Sequence, residues 1–107
     1  MRTTQELFSL AGKTAIVTGG SRGLGLQMAQ ALGEQGARLV LASRKEDELE
    51  ATVARLREQG IDAEGIAADL SDAGQAHAFV DAALLHLGRV DILLNNAGAT
   101  WGAPAED

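Results

Sequence analysis

The chain has no cysteine and no tyrosine, a single proline, and only 3% aromatic residues among its 107. Without cysteine there is no disulfide framework, no zinc–thiolate centre and no thiol nucleophile. Without tyrosine there is no phenol to act as acid or base. Ala, Leu and Val must therefore do the packing, and an apolar share of 46% is enough for them to build a core, which excludes a disordered or collagen-like chain. Basic residues are also scarce: 9 Lys and Arg stand against 15 Asp and Glu, for a net charge of −6. Nucleic-acid binding normally needs the opposite balance, so no nucleic-acid partner is expected. No apolar run approaches the roughly 20 residues that span a bilayer, so no membrane partner is expected either. The start, Met1 to Gln5, has no apolar segment of the secretory kind. A soluble cytoplasmic protein is the expectation, and the length suits one domain.

What is present is an alternation of short apolar runs with longer helical patterns. Thr14-Ala15-Ile16-Val17-Thr18 is β-branched and followed by glycines, which predicts a buried strand. Leu24, Met28, Ala31 and Leu32 recur at helical spacing over residues 24–35, and Gly36 ends that helix. A second strand is expected over 38–42. A charged helix follows over 45–59, with Glu46, Asp47 and Glu48 in its first turn, Arg55 and Arg57 near its end, Leu49, Val53 and Leu56 as its stripe, and Gly60 as its stop. Residues 64–68 read as a third strand. Ser71 is expected to cap a helix over 72–87 that buries Ala76, Phe79, Val80, Ala83, Leu84 and Leu87 and ends at Gly88. Residues 91–94 read as a fourth strand. The order β-α-β-α-β-α-β predicts an α/β fold, a Rossmann-type doubly wound parallel sheet with strand order 3-2-1-4, and a ligand crevice beyond the carboxyl ends of strands 1 and 4.

Thr18-Gly19-Gly20-Ser21-Arg22-Gly23-Leu24-Gly25 lies between the first strand and the first helix. In such a βαβ unit of about 30 residues, glycines permit a tight turn and close approach of a pyrophosphate to a helix N-terminus. Dinucleotide sites for NAD carry an acid at the end of the second strand, which holds the ribose 2′-hydroxyl. Here the chain has Ser43-Arg44. An Arg pairs with a 2′-phosphate where a carboxylate would repel it, and Arg22 supplies a second cation, so NADP(H) is the expected cofactor. Asn95-Asn96-Ala97-Gly98, at the end of the fourth strand, is suited to lining a cleft.

These strings together resemble the short-chain dehydrogenase/reductase family over about Leu10 to Gly98. The pattern T-G-x-x-x-G-x-G is met by Thr18, Gly19, Gly23 and Gly25, N-N-A-G by Asn95 to Gly98, and an acid after the third strand by Asp69, followed by Leu70. The opening strings look most like the gluconate 5-dehydrogenase and 3-oxoacyl-acyl-carrier-protein reductase-like members. The resemblance implies a pyrophosphate held by Gly19, Gly20, Ser21, Arg22, Gly23, Leu24 and Gly25, and a 2′-phosphate held by Arg22 and Arg44 beside Ser43. It implies that Asp69, next to Leu70, meets the adenine amino group, that Asn96, Ala97 and Gly98 border the ribose, and that Asn95 steadies the sheet. It implies an oxidoreductase that moves a hydride between nicotinamide and a carbonyl or secondary alcohol, and a homo-oligomer, dimer or tetramer.

The family's catalytic Ser, Tyr and Lys lie beyond N-N-A-G, and no residue here takes their place. Lys13 and Lys45 are the only lysines, and Ser21 and Ser43 belong to the cofactor side. The expectation is therefore a cofactor-binding part, residues 1–107, of a longer enzyme, inactive alone, with its fourth strand a bare apolar edge prone to self-association. The alternative is a non-catalytic nucleotide-binding or regulatory module. An S-adenosylmethionine methyltransferase would want an acid where Ser43-Arg44 stands. Gly12-Lys13-Thr14 lacks the earlier glycine of a phosphate loop, since Leu7 stands there, and it precedes a strand. His77 and His86 lie about 180° apart on a helix, so no metal is expected. For Asp69 and Asp72 a cap and a ribose or adenine contact are expected rather than a catalytic pair, and Trp101 reads equally as packing or as the start of a substrate loop.

Overall fold

A computed structural model describes residues 9–19 and 23–95, Leu24 by its backbone alone. The expectations placed on Gly20, Ser21, Arg22, Asn96, Ala97, Gly98 and Trp101 lie outside the described residues. The elements run β1 Thr14–Thr18, α1 Gly23–Glu34, β2 Arg38–Ser43, α2 Glu46–Glu58, β3 Ala63–Ala67, α3 Ala73–Leu87 and β4 Ile92–Asn95. The four strands form one parallel sheet in the order β3-β2-β1-β4, as expected. Val17 sits opposite Leu41 on one side and Leu94 on the other, and Leu41 sits opposite Gly65.

All five residues of β1 and the middle four of β2 are buried, because a parallel sheet covered by helices hides both faces of its central strands. Ala15, Val17, Leu39 and Leu41 point to one face and pack with Ala29 of α1 and Leu49, Val53 and Leu56 of α2. Ile16, Val40 and Ala42 point to the other, where Ala76, Phe79, Ala83 and Leu87 of α3 cover them. Phe79, Leu39, Leu41 and Leu56 are among the largest fully buried side chains, and burial on that scale is worth about 1.5–3 kcal/mol each. Among the described residues no helix is long and apolar enough to cross a membrane.

Three local expectations are corrected. The row of α1 nearest the sheet is Gly25, Ala29 and Gly33, all buried, with Met28 and Leu32 half-buried and Ala31 exposed. Small residues at i, i+4 bring the helix backbone close to its neighbours, so they displace the larger side chains from the contact line. A Cβ on Gly33 would run into the side chain of Ile61, within 3.0 Å of its Cδ1. Helix α3 is capped by Asp72, whose carboxylate accepts from the Gln75 N–H at 3.1 Å; the Ser71 hydroxyl is turned to Asp69 instead. Leu84 is 40% exposed, because it lies one residue, about 100° of helix rotation, beyond Ala83 and turns off the sheet. The strand ends also differ from expectation by one residue.

Asp91 precedes β4 and acts as a clasp at the amino end of the sheet. Its Oδ2 accepts from the Thr14 N–H at 3.0 Å and from Arg89 Nε at 3.1 Å, and its own N–H donates to the Thr14 carbonyl at 3.0 Å. Arg89 also donates to the Gly12 carbonyl at 3.1 Å. The Thr14 N–H, helped by the Arg89 charge and opposed by partial desolvation, holds the Asp91 carboxyl below its ordinary range.

Gly33→Ala is expected to destabilise the fold by about 1–3 kcal/mol through overpacking, with a smaller effect in an Ile61→Ala background, as measured by urea denaturation. A carboxyl whose value is lowered on folding stabilises the fold above its unfolded value of about 3.9 and loses that contribution as pH falls through the folded one. Asp91→Asn is therefore expected to lower stability at neutral pH and to flatten its decline below about pH 4, as read by denaturation at several pH values.

Candidate functional site

The carboxyl edge of the sheet gathers the sequence-predicted residues that the structure describes. β1 leads into Gly19, β2 into Ser43 and Arg44, β3 into Asp69, and β4 ends at Asn95. Because α1 and α3 lie on opposite faces, the chain parts above β1 and β4, and this is where α/β sheets open a crevice. The floor of that crevice is tied across the two strands: the Thr18 hydroxyl donates to Asn95 Oδ1 at 2.8 Å, with the Leu94 carbonyl at 3.3 Å. Asn95 thus links the two strands.

Gly19 and Gly23 have φ of +67° and +58°, a region where a Cβ is strained and glycine is at ease. The Gly19 N–H donates to the Ala42 carbonyl at 2.9 Å, so the start of the turn is fastened to β2. Among the described residues a Cβ on Gly23 would meet nothing within 4 Å, so backbone conformation calls for glycine there. That turn holds no acid. Helix α2 carries Glu46, Asp47 and Glu48 in its own first turn, and α3 is capped by Asp72. The N-terminal dipole of α1 alone among these helices faces no carboxylate of its own, which suits it to an external anion.

At the end of β2, the Ser43 hydroxyl accepts from the Lys45 N–H at 3.2 Å, forming a tight turn that leaves Arg44 exposed. Among the described residues Arg44 makes no ion pair. The nearby Glu48 is engaged with Lys45 at 3.7 Å. The Ser43 carbonyl accepts from the Ala68 N–H at 3.0 Å, which brings the ends of β2 and β3 together.

Asp69 is the most constrained group of the edge. Its Oδ1 accepts from the Ser71 hydroxyl at 2.6 Å and from the Ser71 N–H at 3.0 Å. Its own N–H donates to Gln75 Oε1 at 2.8 Å, and its carbonyl accepts from the Asp72 N–H at 3.1 Å. The Ser71 hydroxyl, the Ser71 N–H and the Arg44 charge outweigh partial desolvation and hold the Asp69 carboxyl below its ordinary range. The Leu70 side chain is turned away into the core against α3. Sequence reasoning passed over Ser71 and Gln75. Their signal was a hydroxyl two residues after an acid, a spacing that favours a side-chain to backbone turn, but the same hydroxyl also reads as a helix cap. Among the described residues no group of three or more His, Cys, Asp or Glu is placed to hold a metal.

Comparison with known proteins agrees with this geometry. The sequence model described as short chain dehydrogenase matches residues 13–107. The chain is 46% identical over 99 residues to a rhamnolipids biosynthesis 3-oxoacyl-[acyl-carrier-protein] reductase of Pseudomonas aeruginosa, covering 92% of this chain and 38% of that protein. It is 38% identical over 102 residues to a gluconate 5-dehydrogenase of Gluconobacter oxydans, covering 95% of this chain and 40% of that one. The fold superimposes on a metagenomic short-chain oxidoreductase in complex with NADP, with a TM-score of 0.79, 43% identity, and coverage of 86% and 42%. It also superimposes on a short chain dehydrogenase/reductase of Burkholderia phymatum in complex with NAD, with a TM-score of 0.76, 38% identity, and coverage of 80% and 31%. The chain spans less than half the length of these relatives.

Asp72→Ala is expected to cost about 1 kcal/mol in thermal or urea denaturation, the usual worth of an N-cap. Ser71→Ala, which leaves the cap in place, is expected to cost clearly less.

Proposed function

Because this chain belongs to the short chain dehydrogenase family, we propose that it is the dinucleotide-binding part, residues 1–107, of an NADP(H)-dependent oxidoreductase acting on a carbonyl or secondary alcohol. The observation that carries the cofactor choice is the end of β2. Where an acid would hold a ribose 2′-hydroxyl, the turn presents Ser43 and then an exposed Arg44 with no ion pair among the described residues.

The residues fit the group. The first-turn N–H groups of α1 receive the pyrophosphate, reached over Gly19 and Gly23, whose positive φ opens the turn. Arg44 and Arg22 bind the 2′-phosphate, with Ser43 beside them. An Arg–phosphate pair is charge-assisted and can be bidentate, so it discriminates by both charge and shape. Asp69, held ionised by Ser71 and Arg44, accepts from the adenine amino group. Asn96, Ala97 and Gly98 border the ribose. When bound, the cofactor supplies the hydride.

The 107 residues hold no tyrosine, so in this reading the proton donor comes from outside them, and these residues alone do not turn over substrate. Lys13 precedes β1 at the amino edge, and Lys45, at the start of α2, pairs with Glu48 at 3.7 Å. The whole protein is expected to be a cytoplasmic homo-oligomer, with the class of its substrate set outside 1–107.

Arg44→Asp in the full-length protein tests the assignment through Kd values from the fluorescence of bound NADPH and NADH. NADPH binding is expected to weaken by about 10- to 100-fold, the worth of one hydrogen bond to a charged group, while NADH binding holds or improves. An unchanged ratio overturns the choice of NADP(H), and failure of the unaltered protein to bind either dinucleotide overturns the whole reading.

A further inference from the structure

We propose that Ser71 is a positioning residue for base recognition: it fixes one oxygen of Asp69 so that the other is presented to the exocyclic amino group of the adenine. The inference rests on the reading above, in which Asp69 meets that group, and adds the residue that makes the contact selective.

The argument starts from how the two carboxylate oxygens differ. Oδ1 takes both donors of Ser71, the hydroxyl at 2.6 Å and the N–H at 3.0 Å. Oδ2 takes no hydrogen bond among the described residues. The backbone beneath is locked as well: the Asp69 N–H donates to Gln75 Oε1 at 2.8 Å, the Asp69 carbonyl accepts from the Asp72 N–H at 3.1 Å, and Gln75 is itself held by Asp72. A carboxylate tied at one oxygen and at both of its backbone groups has little rotational freedom, so its remaining oxygen points in one direction. Such an oxygen is a pure acceptor. It suits a donor on the base edge and repels an acceptor in the same place. Adenine carries an amino donor at its six-position, whereas hypoxanthine carries an oxo acceptor there. Discrimination of this kind is strong when a polar group of the site is left unmatched by the wrong ligand. Ser71 is exposed, so removing its hydroxyl leaves the core untouched.

The test compares binding of NADP+ with that of its hypoxanthine analogue, by calorimetry on the full-length protein and its variants. The unaltered protein is expected to prefer the adenine form. Ser71→Ala is expected to reduce that preference about fivefold, the usual worth of one lost hydrogen bond, with binding of the hypoxanthine form unchanged, and Ser71→Thr is expected to restore it. Unchanged hypoxanthine binding also shows that the variant is folded. If Ser71→Ala keeps the full preference, or weakens both ligands equally, the positioning role is overturned while the cofactor reading stands. If the unaltered protein shows no base preference, or Asp69→Ala keeps it, the assignment of Asp69 falls and this inference with it.

Discussion

The structure depends on one constraint: β1 is buried on both faces and along both edges. Its five residues are closed in by β2 and β4 at the sides and by helices above and below. A strand so placed cannot be satisfied by right-handed βαβ crossovers running in one direction only, because those stack every helix on one face. After β3 the chain must return past β2 and β1 and lay α3 on the opposite face. The crevice at the carboxyl edge follows from that return, and the glycine turn, the β2 turn and the end of β4 come together there as a result.

The β1–β4 junction is the seam of this arrangement, and it is pinned at both ends by polar groups. Asp91 grips the first residue of β1 through the Thr14 N–H and carbonyl, and Thr18 grips Asn95 at the last. Between these pins the contact is apolar, with Ile16 opposite Leu93 and Val17 opposite Leu94. A polar bond at each end sets the register that apolar side chains alone leave open to slippage.

Electrostatics divides the helix N-termini. Those of α2 and α3 are answered from within, by three acids and by the Asp72 cap. That of α1 opens on glycine and on no acid. In a chain with a net charge of −6, a positive dipole end with no acid in its first turn, and with Arg44 one strand away making no ion pair among the described residues, is a local exception to the acidic surroundings. This contrast of charge underlies the reading of the edge as an anion site.

Much of this was legible in the chain. The alternation of β-branched runs with helical periods is local, and it led to seven elements within about a residue at each end, to strand order and to the faces of α2. The positive φ of Gly19 and Gly23 and the exposed Arg44 after β2 were legible because turn chemistry and charge act over a few residues, whereas Asp69 was singled out only through the family resemblance. Tertiary structure decided what depends on partners far along the chain. Gly25, Ala29 and Gly33 became the contact row of α1 because Ile61 and the sheet stand close to it, which no helical period reveals. Asp91 became a clasp because Thr14, 77 residues away, is its partner. Ser71 turned from a cap to a brace because Asp72 won the helix and Asp69 was left in reach. Local propensity settles which residues form helix or strand, but hydrogen-bond partners are chosen by proximity in the folded chain, and only the fold supplies that.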